Sequence, residues 1–451
     1  MCVNYANFYR VVITSLLVWP IQILAQTTEP VMEVPLLDEL VLDMDMEFTE
    51  TSAASWRDRL RFTFSYQAGL DLNKLTRVTS HRFDSRLRGE YLWQDSLFFK
   101  WDGKAILRLP GDDQMDASNN ASEDVGMDGR LRELFVQKSA KSWTSTWGFQ
   151  TITWGEMDAV QIADQLSPWD YSEFAFTTPE DARLGQLLIN SEWYSPFGQW
   201  QFIINPWPQT NRYPGGGASY LLEQSLGTSS FQVNQQQPDF FDDYELALRW
   251  TLNQQGYDIS LMATSLLNND PVFEMIMVNP QGTSIFNAKF PRFEMIAATA
   301  NYSAGNLLWK AETAFKQDIH VAGSQSVIRD VLDAALGFDY DANGAWDVTV
   351  ELLNQHILSG PGDLAGLRKN NTQWVARWRK QWLHQTLSSV YYVSYQLQHR
   401  DTVHSMALNY AITDAWLLDV NATLFESTEA QSPGQLTKNW DQLTFRLSFT
   451  Y

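Results

Sequence analysis

Cysteine is almost missing from this chain. There is one, Cys2, so no intramolecular pair exists from which a disulfide could form. Basic charge is also scarce: 32 Lys and Arg stand against 53 Asp and Glu, a formal net charge of -21, which disfavours non-specific nucleic-acid binding. With only 24 Gly and 16 Pro the chain is neither collagenous nor low-complexity. No stretch after the first 25 residues offers roughly 18 apolar residues without charge, which excludes helical membrane spans. Aromatics, by contrast, are abundant: 19 Trp, 17 Tyr and 25 Phe.

Residues 1–25 read as an export signal, with a polar stretch ending at Arg10, an apolar run over 11–25 and a small residue, Ala25, before Gln26. Cys2 falls inside it, so the mature chain is expected to carry no disulfide, thiolate metal site or cysteine nucleophile. Residues 26–58 form an acidic arm containing VPLLDELVLDMDMEF, read as a solvated periplasmic leader, with a plug or docking segment as the alternative. The remainder, 59–451, is one structural unit.

That unit alternates with period two. Over 81–93 one face carries Phe83, Leu87, Gly89, Tyr91 and Trp93, and the other Arg82, Asp84, Arg86, Arg88 and Glu90. Such a run of charges cannot sit in a sandwich core. The pattern repeats over 99–109, and at the chain end Leu443, Phe445, Leu447, Phe449 and Tyr451 oppose Gln442, Thr444, Arg446, Ser448 and Thr450. Segments of about ten residues that alternate this way, with aromatics at their ends, predict an all-β transmembrane antiparallel barrel with a wet interior. A secreted solenoid or multi-sandwich protein is the bland alternative. A closed barrel leaves no backbone unpaired in lipid.

The segments parse into about 18 strands; 16 stays open because the segment before Pro206 is short. Tight turns at SPFG, NQQG, SAGN and DANG alternate with longer connections, which places both chain ends on the periplasmic side of an outer membrane. The partners expected are the bilayer, lipopolysaccharide and, through the terminal aromatic strand, the barrel-insertion machinery.

A barrel this wide holds a watery lumen, so function turns on its lining. Alternation places Arg82, Arg86, Arg88, Lys100, Lys104, Arg108, Arg130 and Arg132 on one inner wall, with Asp84, Glu90 and Asp102 against them. Asp333, Asp339, Asp347 and Glu351 fall on the wall opposite, with Arg329 among them. Two readings follow: a transverse field that favours polar or zwitterionic solutes, or local pairing that merely solvates the lumen.

A connection over 155–181 carries Glu156, Asp158, Asp164, Asp170 and Glu173 with Trp169, Tyr171, Phe174 and Phe176. So apolar a loop is expected to fold inward and narrow the lumen, with Asp170 and Glu173 near the basic wall; packing on the outer rim is the alternative. Gly148 and Gln150 are expected to share a strand face with Ile152 and Trp154, the strand ending at WGE. The run Gly148, Gln150, Trp154, Gly155, Glu156, Pro168 and Asp170 resembles a family of bacterial outer-membrane barrels of poorly defined function in which GxQ is followed by WGE and P-x-D. The resemblance implies a porin-like channel, often associated with movement of hydrophobic or unusual organic compounds, and no catalytic residue.

No nucleophile–base motif surrounds Asp318, His320, His399 or His404, so no enzyme, cofactor or metal site is expected. The acidic connection with Asp112, Asp113, Asp116, Glu123, Asp124 and Asp128 is either solvated or shares divalent cations with lipopolysaccharide phosphates or binds calcium. The sequence therefore points to passive diffusion of small polar or organic solutes, against a polymer-export or structural envelope barrel; the solute itself is unknown.

Overall fold

The computed structural model describes residues 60–75, 77–93, 96–112, 125–158, 162–172, 182–213, 231–280, 283–320, 327–358, 368–429, 432, 434 and 437–451. The export signal, the acidic arm, Asp113, Asp116, Glu123, Asp124, Glu173, Phe174 and Phe176 lie outside them.

Strands follow where the sequence alternates: β1 Leu60–Asp71, β2 Val78–Trp93, β3 Leu97–Arg108, β4 Gly126–Ala140, β5 Trp143–Gln150, β6 Gln186–Ser195 and β7 Gly198–Trp207. After the short β8 Phe231–Gln235 come β9 Glu245–Gln254 and β10 Tyr257–Leu267, then β11 Val272–Val278, β12 Ser284–Lys289, β13 Arg292–Ala304, β14 Leu307–His320 and β15 Ile328–Asp341. The last are β16 Trp346–Ile357, β17 Asn370–Trp382, β18 Leu387–Gln396, β19 Asp401–Ala411, β20 Trp416–Glu426 and β21 Gln442–Thr450.

Eighteen of these pair antiparallel, each with its neighbour, and β1 pairs with β21 from Thr63↔Thr450 to Asp71↔Gln442, which closes the ring. The segment before Pro206 is a full strand, β7; a bulge there lets Leu187 pair with Trp207 and Ile189 with Ile204. Closure removes the two edges that would otherwise expose unpaired peptide groups to lipid.

Short turns gather at one end. Gly344 donates its N–H to Asp341 Oδ1 at 2.6 Å, and Asn343 and Gly344 hold φ of 55° and 75°, which asparagine and glycine tolerate best. On the outer face beside these turns Trp93, Trp193, Trp200, Trp309, Trp346, Trp382 and Trp416 remain exposed, an aromatic girdle at the membrane interface. Phe83, Leu87, Leu248, Leu261, Ile296, Leu336 and Leu352 are exposed between girdle and rim, where a soluble protein would hide them.

The longer connections contain a second, smaller sheet. β12 pairs antiparallel with β11 and parallel with β8, burying Phe273, Phe286 and Ala288 beside Trp169, Tyr171 and Tyr213.

Candidate functional site

The site begins where β5 leaves the wall. Gly148 holds φ of 126°, and a Cβ there would meet Leu134 O at 2.3 Å, so only glycine lets β5 lie this close to β4. Gln150, buried, donates its amide to the carbonyls of Thr146, Gly148 and Leu188 at 3.1–3.3 Å, tying off the strand end. The strand stops here, four residues short of the WGE expected to end it. Ile152 and Trp154 therefore sit in the lumen rather than on a strand face.

The departing segment is tied internally and then packed. Trp154 N–H donates to Asp164 Oδ1 at 3.0 Å, and its indole Nε1 to Gln201 Oε1 at 2.9 Å. Asp164 pairs with Arg183, yet complete burial outweighs the pair and holds its carboxyl above the ordinary range. Ile152, Trp154, Met157, Ile162 and Leu166 form one apolar cluster with inward residues Leu188, Ile203, Met262, Met295, Leu353 and Val375. One arc of the inner wall is thus apolar and covered by Ile152, Trp154, Met157, Ile162 and Leu166.

Its tip reaches the other side. Glu312 on β14 accepts the backbone N–H groups of Glu156, Met157 (2.8 Å) and Ala163 (3.3 Å). Gly155 has φ of 134°, and a Cβ on it would fall 2.8 Å from Glu312 Oε1. Glu351 on β16 accepts Asp158 N–H at 2.7 Å. Asp158 Oδ2 lies 2.9 Å from Lys310 Nζ and 3.8 Å from Arg377 on β17. Glu156 accepts from Asn301 Nδ2 at 2.8 Å on β13. Passing from β5 through β6, β7, β9, β10, β13, β14, β15 and β16, β17 stands diametrically opposite in the ring.

Residues 41–451 match the family described as "Protein of unknown function (DUF1302)". The chain belongs to that family. Among solved structures it is similar to OccAB3 of Acinetobacter baumannii at 8% identity and a TM-score of 0.51, covering 87% of this chain and 98% of that one. It is likewise similar to the outer membrane protein OpdK of Pseudomonas aeruginosa, at 8% identity, TM-score 0.50 and coverage of 87% and 98%. OccAB4 of Acinetobacter baumannii matches at 7% identity and TM-score 0.50, over 87% and 97%. No curated protein matches the sequence. At these identities the likeness is one of fold: this DUF1302 chain is a closed antiparallel β-barrel of porin-like architecture.

In the DUF1302 barrel the basic wall is interleaved with more carboxylates than alternation alone revealed. Asp102 accepts Arg86 Nε at 2.8 Å and Arg132 at 3.2 Å, and Asp84 lies 3.6 Å from Lys104 and 3.7 Å from Arg82. Glu133 meets Lys100 at 3.0 Å, Asp128 meets Arg108 at 3.8 Å and Arg130 at 3.4 Å, and Asp170 from the inserted segment meets Arg130 at 3.0 Å. A bulge opposite Asp102 and Gly103 puts both Arg132 and Glu133 on the inner face. Arg88 lies among them on β2, facing Asp102 across the ladder.

The acidic residues opposite are engaged as well. Asp333 meets Lys316 at 2.9 Å, Asp339 meets Lys310 at 2.6 Å, and Asp347 meets Arg379 at 2.6 Å. Glu351 is fully buried beneath the segment. Trp169 is buried with the Arg183 guanidinium 4.7 Å above its ring. The receiving residues Lys310, Glu312 and Arg377 escaped sequence reasoning. Their signal was present: Lys310, Glu312 and Lys316 recur at even spacing along β14, as the charges of β2 do.

Proposed function

We propose that this protein is a passive diffusion channel of the outer membrane for small polar or organic solutes, its lumen narrowed by the inserted connection over 155–181. One observation carries the reading: Asp158, launched from β5, is held by Lys310 and Arg377 on the far side. A segment anchored on both walls divides the lumen without sealing it by packing alone. Its apolar face covers the arc lined by Leu188, Ile203, Met262 and Val375. What remains for solutes is the arc lined by β1 to β4 and β19 to β21, where Gln67, Asp84, Lys104, Ser405, Asn421 and Arg446 face inward. That polar, ion-paired surface suits hydrated solutes. In this reading residues 1–25 export the chain, 26–58 remain in the periplasm, the β21 aromatics address the insertion machinery, and the outer rim meets lipopolysaccharide.

Purified protein in planar bilayers and in a liposome-swelling assay tests it. Discrete conductance steps with uptake of small sugars or organic acids are expected, and Asp158→Ala with Glu351→Gln widens the step. Protein that inserts but passes neither ions nor solutes, in either form, overturns the channel reading in favour of a structural or polymer-export barrel.

A further inference from the structure

Three charged side chains inside the barrel stand near one another without pairing. Arg249 on β9 gives its guanidinium to Ser260 Oγ, at 3.0 and 3.2 Å. Glu156, from the tip of the inserted connection, accepts from Asn301 Nδ2 at 2.8 Å and Thr299 Oγ1 at 3.5 Å. Glu192 on β6 accepts from the Tyr194 hydroxyl at 2.8 Å, Gln199 Nε2 at 3.0 Å and Gln201 Nε2 at 3.2 Å. Among the described residues none of the three has an ion-pair partner within 4.0 Å. They are nonetheless neighbours. Ser260 faces Thr299 across one ladder, so the anchors of Arg249 and Glu156 are one strand spacing apart, about 5 Å. Gln201 lies between Glu192 on one side and Arg249 on the other. Arg249 feels the charges of Glu156 and Glu192, together with those of Asp164 and Glu312. The last two are already engaged, Asp164 by Arg183 and Glu312 by the backbone of the tip.

Opposite charges held apart in a half-buried place have lost hydration without the gain of contact. Here the separation is built in, because neutral amides and hydroxyls hold each carboxylate and the guanidinium where it stands. We propose that the gap is a binding site for a compact zwitterion, an α- or β-amino acid, with its carboxylate on Arg249 and its ammonium on Glu156 and Glu192. A guanidinium fork matches a carboxylate, and carboxylate oxygens accept the three donors of an ammonium. An anion alone meets the two glutamates beside the arginine, and a cation alone meets the arginine beside the glutamates; a molecule carrying both charges satisfies all three. Arg249, Glu156 and Glu192 are only half-buried, and Glu192 and Asn301 each lie three residues from the short-turn end of their strands, Ser195 and Ala304. The site therefore opens on the periplasmic vestibule beneath the inserted connection. As a station for permeating solutes it deepens the channel reading and rests on it; occupancy itself does not.

The full chain folded in detergent is titrated with L-alanine, propionate and propylamine, and bound ligand is read by saturation-transfer NMR. L-alanine is expected to saturate in the millimolar range, as a site that must release its solute requires, and each singly charged analogue to bind about tenfold more weakly or worse. Glu156→Gln and Arg249→Gln should each weaken L-alanine by roughly tenfold or more. Propylamine binding as tightly as L-alanine makes this a cation site, and propionate doing so makes it an anion site; either overturns the proposal, as does the absence of saturable L-alanine binding. These outcomes are read on the unaltered protein, so they hold even where a variant fails to fold. Planar-bilayer recording of the same protein separates the two readings: binding without conductance leaves the site and removes the channel, and conductance without binding does the reverse.

Discussion

The N–H of Met157 donates 2.8 Å to Glu312 Oε1, joining two residues 155 positions apart in sequence. With Glu156 and Ala163 donating to the same carboxylate, Glu312 serves as a receptor for one turn of the inserted connection. A buried carboxylate accepting several backbone donors is a strong, charge-assisted anchor.

Glu312→Gln removes the charge and turns an amide N–H₂ toward donors. Each hydrogen bond to a buried charged group contributes about 1.5–3 kcal/mol, so the tip is expected to loosen by about that much while the barrel stays folded. Hydrogen exchange at 156–158 and 162–163 should speed by one to two orders of magnitude, at roughly 1.4 kcal/mol per tenfold. Unchanged exchange there would show that packing of Ile162 and Leu166, rather than the carboxylate, holds the tip.

Two glycines of the GxQ and WGE runs should be intolerant of alanine for different reasons. At Gly148 the added Cβ meets backbone, Leu134 O at 2.3 Å, and φ is 126°. At Gly155 it meets the end of a side chain, Glu312. At Gly344, φ is 75° with nothing within 4 Å of the new carbon. Gly344→Ala is therefore expected to cost about 1 kcal/mol and Gly148→Ala about 3 kcal/mol or more, in denaturant titrations of detergent-folded protein. Equal costs would contradict the close β4–β5 approach.

The barrel wall was legible because each strand keeps one side in lipid and the other in water. Period two then survives in the residues themselves, as it does from Arg82 to Trp93. Two features escaped this rule. Ile152 and Trp154 keep the parity of Gly148 and Gln150, so nothing local marks the point where the chain quits the wall; the cue is tertiary, the buried oxygen of Asp164 awaiting Trp154 N–H. The small sheet of β8, β11 and β12 was hidden because its strands are five to seven residues long and β8 pairs parallel with a distant segment.

Asp270 predicts a pH dependence outside the membrane. It is buried between Tyr213 and Asn211, which both donate to it, and burial still pushes it up to about 6 from 3.8. Folding therefore favours the protonated acid. Its contribution, on the order of 3 kcal/mol at most, is full below about 4 and is lost as pH rises through about 6. Amide protection at 211–213, corrected for intrinsic exchange, should be greater at pH 4 than at pH 7.5. Asp270→Asn mimics the protonated form and should flatten the profile; protection that grows with pH would reverse the assignment.

On the channel proposed above, Asp102 offers the cleanest test of what the basic wall does to passing ions. It accepts from Arg86 and Arg132 and is itself buried on β3. Asp102→Asn keeps the shape and adds one net positive charge beside the polar arc. A unit charge about 6 Å from an ion in water contributes about 0.7 kcal/mol, a factor of about three in relative permeability. The reversal potential in a salt gradient should therefore shift toward anions by that factor, and the shift should shrink at high ionic strength, where screening shortens the field. Neutralising Arg86 should move it the other way by a similar amount. If neither substitution moves the reversal potential, the ion pairs of this wall cancel locally and the permeating path lies elsewhere in the lumen.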